Sequence, residues 1–517
     1  MTFEIVFVLL SLLGMVAALI ADKMRPGMIL FSVVVLFLCA GILTPKEMLE
    51  GFSNKGMITV ALLFLVSEGI RQSGTLGQVI KKLLPQGKTT VFKAQLRILP
   101  SVAFISAFLN NTPVVVIFAP SIKPWAKSVN LPATKFLIPL SYVTILGGIC
   151  TLIGTSTNLV VHGMILEAGF EGFSMFELGK VGIFIAIAGI IYIFLFSKRL
   201  LPDARPDTAV PDEEVEEGEK LHRVEAVLGA RFPGINKKLK DFNFQRHYGA
   251  EVKEIKTRNG QRFVSNLEEV VLHEGDTLVV MADDTFIPTW GESSVFVLLT
   301  NGNEPDTTGK KKRWFALLLL VLMIVGATVG ELPVTKEMFP DIKLDMFFFV
   351  SITTIIMAWT NLFPARKYTK YISWDILITI ACAFAISKAM VNSGVADSVA
   401  KFIIGLSDDY GPHVLLAMVF IITNLFTELI TNNAAAALAF PLALSISAQL
   451  GVSPTPFFVV ICMAASASFS TPIGYQTNLI VQGIGNYKFT DFVRIGLPLN
   501  IITFLISIIL IPLIWNF

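Results

Sequence analysis

Two stretches of this 517-residue chain carry nearly the same residues in the same order. Residues 151–163 read TLIGTSTNLVVHG and residues 471–483 read TPIGYQTNLIVQG, an offset of 320. Ser67, Ser73 and Gly74 return at that offset as Ser387, Ser393 and Gly394, and Leu-Asn-Asn-Thr at 109–112 meets Ile-Thr-Asn-Asn at 430–433 one residue out of step. Each polar stretch interrupts an apolar run, and none of the four holds an Arg or Lys. Such a set suits recognition more than bond-making. Its hydroxyl, amide and backbone N–H groups can hold an anion, and its Asn, Thr and carbonyl oxygens can hold a hard cation. A dianion withdrawn from water must be paired or hydrogen-bonded, and the N-termini of broken helices offer N–H groups and a positive dipole end. Matching interruptions in the two halves of an apolar chain are the sequence mark of a transporter's binding site.

The anion-binding candidates are Asn110, Asn111, Thr112, Ser156 and Thr157 in the first half, with Asn432, Asn433, Gln476 and Thr477 in the second. Thr155 and Thr431 lie beside them. For the cation the candidates are Asn111, Gly154 and Asn158, and at matching positions Asn432, Gly474 and Asn478. All-oxygen ligation favours Na⁺, whose charge offsets that of a substrate anion. His162 aligns with Gln482, so an uncharged role serves there, and a hydrogen-bonded core residue is expected. Glu68 and Lys388 fall at equivalent positions near helix ends, where pairing or snorkelling to the interface is expected. Glu428, in the run before the second tip, is expected as a hydrogen-bonded carboxyl or an ion-coupling group. The four cysteines sit in apolar segments without metal-ligand spacing and read as core residues. No nucleophile–base pair, metal cluster or phosphate loop points to an enzyme or a bound cofactor.

These residues must be held by a membrane protein. Hydrophobic residues make up 54% of the chain and charged residues 15%, against about 25% charged in a soluble protein. Apolar runs of roughly bilayer length recur, among them 3–20, 28–42, 181–196, 314–329, 346–363 and 497–515. The first is long for a secretory signal, and no small-residue cleavage site follows it. A net charge of +2 implies no nucleic-acid partner. Lys and Arg concentrate in alternate loops, which the positive-inside rule assigns to the cytoplasm. The fold class expected is an all-α polytopic membrane protein of two inverted repeats, 1–200 and 314–517, with both termini outside. Each repeat has five crossings, one re-entrant hairpin (about 99–126 and 413–444) and one broken helix (about 136–166 and 456–486). The tips fall at Asn110-Asn111-Thr112-Pro113 and Thr431-Asn432-Asn433, because non-helical backbone at membrane depth is tolerated only against protein or a water-filled cavity.

Between the repeats the composition changes. Residues 201–219 and 301–313 read as polar linkers, and 220–300 as a small α+β unit on the cytoplasmic side. Strands are expected at 224–230, 252–257, 262–264 and 277–281, a short helix at 237–242, and an Asn-Gly hairpin turn at 258–261. The stretch LKDFNFQRHYGAEVKEIKTRNGQ followed by EGDTLVVMA resembles the TrkA-C (RCK-C) domain of potassium-transport regulators. That resemblance implies self-association, either with a small nucleotide-type ligand or as a structural dimerisation module without one.

The paired tips and breaks resemble those of the divalent anion/sodium symporters of the ion transporter superfamily, over roughly four-fifths of the chain. The family usually has Ser-Asn-Thr at both tips and Thr-Pro-Pro-Asn-like breaks. Here the tips read Asn-Asn-Thr and Thr-Asn-Asn, and the breaks Thr-Ser-Thr-Asn and Tyr-Gln-Thr-Asn. This variant set, joined to a TrkA-C-like insertion, is closer to the sulfate-transporter branch of bacteria and algae. The resemblance implies a multi-pass homodimer in the cell membrane that moves a small divalent anion with Na⁺ by an elevator-type displacement. A dicarboxylate symporter, a membrane nutrient sensor and an anion channel are the alternatives.

Overall fold

The computed structural model describes residues 3–21, 24–203, 222–229, 232–257, 261–283, 286, 290, 295–300, 310–339, 342–405 and 411–517. Most of both linkers, at 204–219 and 301–309, and the turn residues 258–260 lie outside the described residues.

Helices dominate both ends of the chain. Eight of those described are long and apolar enough to cross a membrane: Phe3–Ala21, Pro45–Gln72, Gly179–Leu200, Lys310–Gly330, Trp374–Asn392, Gly411–Leu429, Asn432–Leu450 and Phe489–Ile514. Shorter apolar helices, such as Pro26–Cys39 and Met346–Trp359, accompany them. Several long helices are apolar on the outside as well as within. Ile183, Ile187, Ile191 and Leu195 are exposed along one, and Ile501, Leu505, Ile509 and Leu513 along another. Apolar stripes of this size on the surface call for a lipid solvent.

The two halves repeat element by element. Pro26–Cys39, Lys55–Gln72 and Thr75–Leu83 of the first correspond at the 320 offset to Met346–Trp359, Trp374–Asn392 and Val395–Gly405 of the second. One helix pair then frames each tip. In the first half Val91–Ser106 and Asn111–Ser128 meet at Asn110, so the first arm starts eight residues before the expected 99. Thr90 caps that earlier start, accepting from Lys93 N at 3.3 Å. In the second half Gly411–Leu429 and Asn432–Leu450 meet at the tip, and Thr431 caps the second arm. Pro113 falls in the first turn of its arm, where the missing N–H costs nothing. The breaks separate Leu137–Gly148 from Ser156–Glu167 and Thr455–Ser466 from Gln476–Gly485.

The break helices reach the hairpins through glycine. A Cβ on Gly147 would fall 2.7 Å from the Ala103 carbonyl carbon, so Leu137–Gly148 lies directly against Val91–Ser106. The apolar core runs through both halves without interruption, from Val66 and Leu99 to Phe457 and Leu499.

The central block is a five-stranded antiparallel sheet: β1 (His222–Leu228), β2 (Glu251–Lys256), β3 (Arg262–Phe263), β4 (Thr277–Ala282) and β5 (Phe296–Thr300), in the order β3-β2-β4-β1-β5. β5 is an element the local pattern did not reveal. In place of one helix at 237–242 there is a single turn at Leu239–Asp241 and a helix at Phe244–Tyr248, whose Asn243 cap accepts from Arg246 N. Phe232, Phe242, Phe244, Tyr248 and Phe296 close the block's own core against Leu228, Leu278 and Val280. Among the described residues the sheet touches the membrane helices at several places, two of which are specific. Glu225 on β1 pairs with Lys123 at 3.2 Å, and the turn at Gly275 and Thr277 packs against Leu479 and Gly483 of Gln476–Gly485.

Candidate functional site

The tip of each half meets the break of the other. Thr112 Oγ1 in the first tip donates to Gln476 Oε1 in the second break at 3.3 Å. Ser156 and Thr157 in the first break each donate to Asn433 Oδ1 in the second tip, also at 3.3 Å. Thr155 and Tyr475, equivalent by the offset of 320, face each other at 3.0 Å between their hydroxyls. The phenol goes on to Asn111, at 2.6 Å. The contacts between the halves therefore cross at the Thr155–Tyr475 pair, with one hydroxyl of the second half joined to both the break and the tip of the first.

Each half repeats one hydrogen-bond pattern around its break. Thr151 Oγ1 donates to Ala107 O, and Thr471 Oγ1 donates to Glu428 O. The same hydroxyls accept from Gly154 N at 3.1 Å and Gly474 N at 3.2 Å. Asn158 Nδ2 donates to Thr151 O at 2.9 Å, and Asn478 Nδ2 to Thr471 O at 3.1 Å. Beside each tip, Ser106 lies 2.8 Å from the Asn111 amide and Thr427 3.0 Å from Asn432 Oδ1. Gly154 and Gly474 are required by crowding. A Cβ on Gly154 would lie 2.5 Å from Gly148 O, and one on Gly474 would lie 2.8 Å from Thr427 O.

Two oxygen clusters result, one per half, and the first shows what it can hold. Asn158 Oδ1 is buried and has no hydrogen-bond partner among the described residues. The Asn111 amide lies among Ser106 Oγ, Thr144 O and Gly154 O, with its other end at the Tyr475 hydroxyl. With its oxygen inward it faces oxygens only. With its nitrogen inward it donates to all three, and Oδ1 accepts from Tyr475. Buried oxygens that face one another are a donor set for a hard cation. No group of three or more His, Cys, Asp or Glu is assembled among the described residues, so a cation here would meet amide, hydroxyl and carbonyl oxygen.

The helix starts suit an anion. Asn110, Thr155 and Tyr475 stand at the N-termini of 18-, 12- and 10-residue helices, and at none does the side chain cap the first turn. First-turn N–H groups have no partner inside the helix, so these three ends are open to an acceptor from outside. Asn110 itself lines a small cleft with Ser67 and Ser156 of its own half. Thr477 Oγ1 and Asn478 Oδ1 both accept from Ser141, at 2.8 and 2.7 Å. Among these, Gln476 is exposed, Thr112 and Ser156 are half-buried, and Asn111, Thr157, Asn158, Thr477 and Asn478 are closed off.

Other expectations fared differently. His162 is not hydrogen-bonded through Nδ1, which is buried without a partner among the described residues. The ring stands against Gly172. Glu68 is paired, with Arg71 and Gln72 one turn on, while Lys388 is exposed. Glu428 accepts from Ser470 N at 2.9 Å and Asn500 Nδ2 at 2.7 Å. Ser106, Ser141 and Thr427 were missed as site residues. Their one signal in the sequence is that Ser106 and Thr427, both hydroxyls, each precede a tip asparagine by five residues.

Known proteins resemble the whole chain. An uncharacterized transporter of Synechocystis is 30% identical, covering 94% of this chain and 93% of its own length. A putative sulfur deprivation response regulator of Chlamydomonas reinhardtii is 28% identical, over 93% and 96%. Sodium/sulfate cotransporter 2 of the same alga is 31% identical over 54% of this chain and 31% of its own length. The family model described as citrate transporter (CitMHS) matches residues 16–449 and 342–516. Those spans include both tips and both breaks, and with them the chain belongs to the citrate transporter (CitMHS) family, a family of multi-pass membrane transporters.

Proposed function

We propose that the protein is a secondary active transporter that carries a small divalent anion, sulfate in preference, together with Na⁺. The observation that carries this reading is the crosswise meeting of tips and breaks around the Tyr475 hydroxyl. It gathers three open helix N-termini for the anion beside two equivalent oxygen clusters for the ion. Each helix N-terminus carries roughly half a positive charge, so opposed ends can bind a dianion without a formal cation in the site. Asn110, Asn111, Thr112, Ser156, Thr157, Asn432, Asn433, Gln476 and Thr477 are the anion's hydrogen-bonding set. Asn111, Gly154, Asn158 and their counterparts Asn432, Gly474, Asn478 form the Na⁺ set. The name of the algal sodium/sulfate cotransporter favours this pair of solutes.

The helix pairs at 91–128 and 411–450 act as re-entrant hairpins within two inverted repeats of five crossings. With the broken helices they form the body that moves, elevator-fashion, in each protomer of a homodimer. The central sheet lies in the cytoplasm, resembles a TrkA-C domain, and joins the two protomers. A polycarboxylate is the second reading, and the family's citrate description favours it. Uptake of labelled sulfate, succinate and citrate into proteoliposomes, with and without an inward Na⁺ gradient, tests both. Saturable sulfate uptake that needs Na⁺ is expected. Uptake driven by the proton gradient and indifferent to Na⁺ would overturn the ion assignment, and succinate or citrate uptake in place of sulfate would select the second reading.

A further inference from the structure

The hydrogen bonds at the centre link the cation cluster of the first half to the anion site through two side chains, a point that rests on the coupled symport proposed above. Asn111 has two orientations, and each dictates what Tyr475 can do. With Nδ2 inward the amide donates to Ser106 Oγ, Thr144 O and Gly154 O at 2.8, 3.1 and 3.2 Å, and Oδ1 accepts the Tyr475 proton at 2.6 Å. With Oδ1 inward, Ser106 Oγ supplies one proton, but two carbonyl oxygens remain facing Oδ1. A cation among them relieves that repulsion. In that orientation Nδ2 points at the Tyr475 oxygen and donates to it, so the phenolic proton is turned away from Asn111.

We propose that this pair is the coupling switch: cation occupancy of the first cluster turns the Asn111 oxygen inward, and the released Tyr475 O–H becomes a donor to the substrate anion. No bond breaks; one amide rotates and one hydroxyl proton is redirected. Once turned from Asn111, that proton has Thr155 Oγ1, 3.0 Å away, as its acceptor until the anion arrives. Asn432 leaves the switch one-sided, because its Oδ1 accepts from Thr427. The repeat has Thr155 where the second half has Tyr475, so a hydroxyl that reaches the other half's tip belongs to one half alone. Tyr475 thus both contacts the anion and reports the state of Asn111.

The test is Tyr475→Phe in the full-length protein, which keeps the ring and removes the proton. Two quantities are read: the Na⁺-induced rise in Tm without anion, and the Na⁺ dependence of the KM for whichever of sulfate, succinate and citrate the wild type carries. Between limiting and saturating Na⁺ the wild-type KM falls by about 5- to 150-fold, the range of ordinary coupling. In Tyr475→Phe that factor falls toward one while the Na⁺-induced rise in Tm remains. An unchanged factor overturns the switch, and so does loss of the Na⁺ effect on Tm, which would make Tyr475 part of the cation site. A wild type with no Na⁺ effect on either quantity overturns the symport reading, and the switch with it. Asn111→Asp gives an independent arm, decisive if the phenylalanine variant does not fold. Its carboxylate accepts on both faces, so cation occupancy no longer frees the phenol and the factor again falls toward one.

Discussion

At the scale of single residues, the site is built from uncharged side chains that are nearly all satisfied by one another. Asn111, Asn158 and Asn478 are fully buried, an expensive placement unless their amides are bonded or serve a ligand. On the proposed reading, Asn111→Ala and Asn432→Ala each remove a contact to an ion or anion worth about 1.5–3 kcal/mol. Uptake at subsaturating substrate should therefore fall about 10- to 150-fold, with the protein still monodisperse in detergent. Wild-type uptake by both variants would remove the tips from the site. Thr151 and Thr471 tie each break to the arm behind it. Thr151→Val and Thr471→Val keep the shape but strand a buried N–H and carbonyl, at about 1–3 kcal/mol each. Each should raise the Na⁺ concentration for half-maximal uptake about tenfold or more. An effect in one half only would show that the clusters are not equivalent.

At the scale of elements, close approach matters more than helix propensity. Gly147 lets Leu137–Gly148 lie on the Ala103 backbone, and Gly154 lets the first break fold back over Gly148. In both cases the atoms in the way are backbone, which side-chain rearrangement does not relieve. Overpacking of this kind costs about 1–3 kcal/mol. Gly154→Ala should displace the break and abolish uptake while lowering Tm by only a few degrees. Gly14→Ala, where a Cβ meets nothing within 4 Å, is the control and should leave both unchanged. Much of this level was legible beforehand. Both tips and both breaks fall where Asn, Thr and Gly interrupt apolar runs, because helices end where local hydrogen-bonding side chains compete with the backbone. The start of the first hairpin at Val91 was not, since Phe92, Lys93 and Arg97 read as loop until Thr90 is seen to cap them.

At the scale of the whole molecule, the central sheet bears on two helices whose first turns hold candidate site residues. Lys123 belongs to Asn111–Ser128, and Leu479 to Gln476–Gly485. Glu225 lies against both Lys123 and Lys256, with its side chain 13% exposed. Glu225→Gln removes the charge from that group and should loosen the block from the membrane half. Hydrogen exchange in β1 would read the change as faster exchange, without loss of the sheet's own core. Replacing residues 220–300 by a flexible linker tests the larger role. The dimer is expected to weaken in light scattering and the uptake rate to change. A variant that stays dimeric and transports at the wild-type rate would leave the block without either role.

The sequence by itself determined the membrane class, the doubling at an offset of 320, and the residues that deserved chemical attention, because those depend on composition, on local periodicity and on polar groups placed where lipid forbids them unpaired. It did not determine which of these residues would meet. Thr112 with Gln476, Ser156 with Asn433, and Thr155 with Tyr475 are each separated by more than 270 residues, and nothing in a side chain names a partner at that distance. Ser106, Ser141 and Thr427 look like ordinary helical hydroxyls until the fold turns Ser106 and Thr427 toward the tips and Ser141 toward the second break. Only packing decided that the Tyr475 hydroxyl meets Asn111 and Thr155, because that contact joins the end of one half to the tip and break of the other and depends on how the helices between them fold back.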